Sequence, residues 1–127
     1  MRRKYKLITA KLHWMKEPIK KVMVCEINEN QVHVFLYTVE YDWFNDHSEF
    51  FNSLEEAESY CNSLGIDNLG WAEIDGCLEY CNLDWIAPVR SKGRNTGEPQ
   101  CGIYEKFDGA KWVEFKVLPS ENKPNNC

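Results

Sequence analysis

A chain of 127 residues and 14.9 kDa, 43% hydrophobic and 13% aromatic, is long enough to bury one core from its own side chains and too apolar for intrinsic disorder. Its formal net charge of −5 conceals a split: the 68 residues from Val22 to Val89 hold fourteen carboxylates and no lysine or arginine, a charge of −14, while the flanks carry +9. A middle without a single base cannot neutralise phosphates, and no run approaches the roughly 20 apolar residues that span a bilayer, so neither nucleic acid nor membrane is expected as a partner.

The basic start, Met1 to Lys6, is followed by Lys11 and His13, which interrupt the apolar stretch that a secretory signal needs. A soluble, cytoplasmic protein is therefore expected. The first strand is expected from Tyr5 to Trp14, with Ile8, Ala10, Leu12 and Trp14 inward. Period-two patterning predicts strands over Val22 to Ile27 and Val32 to Val39, joined through Asn28 to Gln31. Pairing Asn28 with Gln31 puts Met23, Cys25, Ile27, Val32, Val34 and Leu36 on one face and Val22, Val24, Glu26, His33, Phe35 and Tyr37 on the other. The second set is too apolar for open solvent, which predicts a cover and suggests a homodimer.

The segment Ser53 to Leu64 predicts a helix. Ser53 and Glu56 make a capping box, Leu54, Ala57, Cys61 and Leu64 form one apolar stripe, and Gly65 supplies a left-handed stop. From Gly70 to Trp85 a hairpin at Asp75-Gly76 would mix polar and apolar residues on both faces, so a short helix through Cys77, Leu78 and Cys81 is preferred. Lys92 to Gln100 reads as a mobile loop. A late hairpin is expected between Cys101 and Val117, pairing Phe107 with Lys111 and Ile103 with Phe115. The expected fold is one α+β domain over residues 1–119, an antiparallel sheet of about five strands with the 53–64 helix on one face, and a disordered tail at 120–127.

Six cysteines are expected to be structural thiols, in keeping with a reducing compartment. Cys77 and Cys81 have a spacing uncommon for zinc and are expected to pack, as Cys25 and Cys61 do. In the register above, Cys25 and His33 face opposite sides of the sheet, so a nucleophilic dyad is not expected. His47, beside Asp46 and Glu49, could serve proton transfer or a metal, but a lone histidine among loop carboxylates is common by chance. No phosphate-binding, dinucleotide or nucleophile-elbow motif occurs, and no cofactor is expected.

Two segments combine aromatic rings with carboxylates, a pairing that suits a cation because ring quadrupole and full charge both attract it. The first contributes Tyr41, Asp42, Trp43, Asp46 and Glu49, and the second Trp71, Glu73, Asp75, Glu79 and Trp85. The leading expectation is a non-catalytic binding protein that offers this acidic, aromatic surface to a basic protein partner, as an inhibitor or immunity-type protein does. A small-molecule binder for organic cations is the second reading, and an enzyme of unnamed reaction the third.

Overall fold

The computed structural model describes residues 1–75 and 78–117. The chain forms two compact units, Met1–Gly76 and Cys77–Cys127. The fold is α+β, with a five-stranded antiparallel sheet and one α-helix in the first unit and a three-stranded sheet in the second. Cys77 and the expected tail at 120–127 lie outside the described residues.

The first unit contains β1 (Arg2–Ala10), β2 (Ile19–Asn28), β3 (Gln31–Tyr37), β4 (His47–Phe51), α1 (Leu54–Ser63) and β5 (Ala72–Ile74), with sheet order β4-β3-β2-β1-β5. The expected helix is present with its caps. Ser53 Oγ accepts from Glu56 N at 3.1 Å, and Glu56 Oε2 reaches back to Asn52 N at 3.1 Å. At the other end Gly65, at φ +83°, lets Gly65 N and Ile66 N donate to Asn62 O and Cys61 O, which is the Schellman closure. Ala57, Cys61 and Ile66 then pack on Val22, Val24, Val32, Val34 and Leu36.

That set of valines corrects the expected sheet faces. Asn28 does pair with Gln31, but the next pair is Glu26 with Val32, so Ile27 is an extra residue bulged out of the ladder. One inserted residue exchanges the two faces of everything before it. Met23 and Cys25 consequently lie on the side away from the helix, with His33, Phe35 and Tyr37, and Cys25 is directly opposite His33. Met23, Cys25, Phe35 and Tyr37 are buried. The apolar second face on which homodimerisation was expected is thus already inside a single chain, which removes the ground for that expectation. Trp14 also departs from expectation: β1 ends at Ala10, Met15 N donates to Leu12 O in a turn, and Trp14 is 45% exposed.

The second unit contains β6 (Val89–Ser91), β7 (Ile103–Phe107) and β8 (Trp112–Lys116) in that order, with a 3-10 turn at Arg94–Thr96. Phe107 pairs with Trp112, not Lys111, one residue off the expected register. The cause is Asp108, whose carboxylate accepts from Ala110 N and Lys111 N while its own N–H donates to Lys111 O, closing the loop over residues 108–111. The slip buries Tyr104, opposite Phe115, in place of Ile103. The short helix expected through Leu78 and Cys81 is a turn instead. Tyr80 has φ +67°, a left-handed conformation from which a right-handed helix cannot continue.

Candidate functional site

The first aromatic and acidic segment forms the loop between β3 and β4, residues 38–46, and three ties fix its path. At its neck Asp46 Oδ2 accepts from Thr38 N at 2.7 Å and from Thr38 Oγ1 at 3.0 Å, and Asp46 N donates to Leu36 O at 2.8 Å. Phe44 is 1% exposed and fills the interior beneath. Lys21, fully buried, extends its Nζ 4.2 Å from the centre of the Tyr37 ring to donate to Tyr41 O at 2.8 Å. The last base before the acidic window therefore holds the loop from inside.

What the ties leave outside is Tyr41, 63% exposed, its ring edge-on to Trp43 at 6.2 Å. Glu40 is exposed and Asp42 half-buried beside it. Asp46 serves the neck of the loop. Glu49 lies beyond it on β4 and bonds His47, Nε2 to Oε1 at 2.8 Å, while the His47 ring meets Trp14 at 4.6 Å. Trp14 was missed as a surface residue because strand alternation was extended past the point where β1 stops.

The second segment is split. Trp71, Glu73 and Asp75 belong to the first unit, at the β5 edge, and Glu79 and Trp85 belong to the second. Four strand spacings of about 4.8 Å, roughly 19 Å, separate the β4 and β5 edges. Glu49 and Glu73 therefore do not share a site. In addition, Trp71 already faces cations of the chain: Lys4 Nζ and Lys6 Nζ lie 4.8 and 5.8 Å from its ring centre. Lys6 Nζ also meets Asp67 Oδ1 at 2.6 Å, and this bond, with that from Leu69 N, holds the Asp67 carboxyl below the usual carboxylate range. Arg2 reaches Glu73 at 3.6 Å, with both side chains 76% exposed, a pair that contributes little. The basic start of the chain folds across this part of the acidic middle, because β1 lies between β2 and β5.

In the second unit Glu79 is exposed, next to Tyr80 in the left-handed turn, whereas Asp84 and Trp85 are buried, with the Trp85 ring 5.9 Å from Phe115. Trp85 is therefore a core residue of that unit.

The exclusion of a Cys25–His33 dyad by sheet face does not stand, since the two are opposite each other in the ladder. Burial gives a different argument. Cys25 Sγ is fully buried, 3.8 Å from Met1 Sδ, and a thiol so placed offers a substrate no surface. His33 is stacked on Phe35 and edge-on to Phe50, and burial pushes its pKa down. Among the described residues no group of three or more histidine, cysteine, aspartate or glutamate side chains is placed to hold a metal ion, and no helix is long and apolar enough to cross a membrane. Compared with known proteins, the chain matches no family model, no curated protein and no solved structure.

Proposed function

We propose that the protein is a non-catalytic binding protein that engages a basic protein partner, in the manner of an inhibitor or immunity-type protein, through the loop 38–46. The observation that carries this reading is Tyr41, an exposed aromatic on a loop tied at three points and bordered by Glu40 and Asp42. A fixed loop loses little freedom on binding, so the contact area of the ring is not offset by ordering cost. Carboxylates around an aromatic anchor raise the encounter rate with a positive surface. Of the groups that could hold an organic cation, Trp71 and Glu73 already face the chain's own Lys4, Lys6 and Arg2, whereas Asp42 lies on the loop 38–46.

Native mass spectrometry of untagged protein, purified at low salt from its source, is expected to retain a basic protein at defined stoichiometry. Tyr41→Ala should weaken that complex about 30-fold, as loss of an anchor worth about 2 kcal/mol does, with little change in folding stability. An association indifferent to ionic strength or to Tyr41→Ala would overturn the proposal.

A cytoplasmic setting belongs to the same proposal, on the ground of the buried thiols Cys25, Cys61 and Cys81. Burial pushes the Cys61 thiol up to about 11, which keeps it protonated and inert. Cys101, however, is disulfide-bonded, so the expectation that all six cysteines are thiols fails at that position. Titration of freshly made protein under denaturing, non-reducing conditions should find fewer than six thiols. Six would return Cys101 to the reduced state.

A further inference from the structure

The outer edge of the five-stranded sheet carries a second, separate feature. Among the described residues β4 pairs with β3 alone, in continuous register from His47 opposite Leu36 to Phe51 opposite Val32. Sheet edges are ordinarily guarded by lysine, proline, a bulge or brevity. The opposite edge, β5, has three residues. By contrast β4 runs for five, His-Ser-Glu-Phe-Phe, with no lysine, no proline and no bulge. Beside its end lies an open groove of about 550 Å³ lined by Phe51, Ser53, Glu55, Glu56 and Ser59.

We propose that β4 is a docking edge for an extended basic segment of another protein, which adds to the sheet as a further strand alongside the start of α1. The proposal shares with the preceding one only the sign of the partner's charge. Backbone N–H and C=O groups of β4 would supply affinity, and the pleat would supply specificity. His47, Glu49 and Phe51 share the helix side with Val32, Val34 and Leu36, whereas Ser48 and Phe50 lie on the other side with Phe35 and His33. Side chains of an added strand alternate in the same way. On the helix side they meet the carboxylates of Glu49 and Glu55, and on the other they meet Phe50, which is 52% exposed. The segment that fits therefore alternates lysine or arginine with apolar residues. An acidic segment is disfavoured by the carboxylates of Glu49 and Glu55.

The test uses the full-length, isotope-labelled protein and a capped heptapeptide of alternating lysine and valine at low salt. Saturable shifts of the His47 to Phe51 amides are expected. The same peptide with alternate backbone nitrogens methylated should bind at least about tenfold more weakly, since it has lost the donors that a strand pairing uses. Phe50→Lys, which adds the missing edge guard at an exposed position, should abolish binding. Equal affinity for the methylated peptide, or shifts centred on residues 38–46, would overturn the proposal. Tyr41→Ala is expected to leave this binding unchanged, so the edge and the loop stand or fall separately.

Discussion

Gly93→Ala is expected to destabilise the second unit by about 3 kcal/mol, measured as a shift in its denaturation free energy. Gly93 has φ +83°, where any side chain is strained by about 1–2 kcal/mol, and a Cβ there would sit 2.3 Å from the carbonyl oxygen of Glu98. That oxygen belongs to backbone and cannot swing aside. Relief requires the loop to open, and the loop is closed on Gly93 itself: Glu98 N and Thr96 N both donate to Gly93 O, and Gln100 N donates to Lys92 O one step outward. Gly97→Ala is the internal control, because Gly97 has the same φ and nothing within 4 Å of its Cβ position. It should cost only the conformational part. Equal losses for the two variants would mean that the Glu98 contact relaxes at no cost. The same bonds show that Lys92 to Gln100, which reads from its glycines and proline as a mobile loop, is a hydrogen-bonded turn.

Legibility in this chain follows the range of the interaction that decides each feature. The helix is readable because everything that specifies it lies within fourteen residues: the Ser53 and Glu56 cap, the apolar stripe, the Gly65 stop and Ile66. The five-stranded sheet is readable as a class for the same reason, since alternation is local. Register is not. Ile27 is as apolar as its neighbours, and nothing in its composition marks it as the residue to be bulged, yet it exchanges the faces of Met23, Cys25 and their partners. The late hairpin moved by one residue through side-chain bonds of Asp108 that Asp-Gly permits without requiring.

The candidate site divides along the same line. Loop 38–46 could be read as an acidic segment with aromatic anchors, and Phe44 and Tyr41 occupy the anchoring and exposed roles that such a segment offers. The second cluster could not be read, because its surroundings come from residues more than sixty positions away. Lys4 and Lys6 reach Trp71 and Asp67 only because β1 is inserted next to β5. A charge split along the sequence is therefore partly cancelled across the sheet.

Phe44→Ala should cost the first unit about 3–5 kcal/mol, because the ring it removes is 1% exposed and leaves a cavity that relaxation fills only in part. The loss should exceed that of Tyr41→Ala by nearly its whole value, since one ring is inside and the other in solvent. Its consequence for the loop separates an anchor from mere filling. If Phe44 holds the loop down, its removal frees the segment between Thr38 and Asp46, and the amides of Thr38 and Asp46 should exchange with solvent far faster than those of β2. Should the variant fail to accumulate, Phe44→Leu keeps most of the volume and is expected to cost about 1 kcal/mol with the same pattern of exchange. Unchanged protection of Thr38 N and Asp46 N in a destabilised variant would show that the Asp46 clasp and the Lys21 bond suffice to hold the loop. In that case Lys21→Met becomes the decisive change, since it preserves the buried chain of methylenes and removes the bond to Tyr41 O.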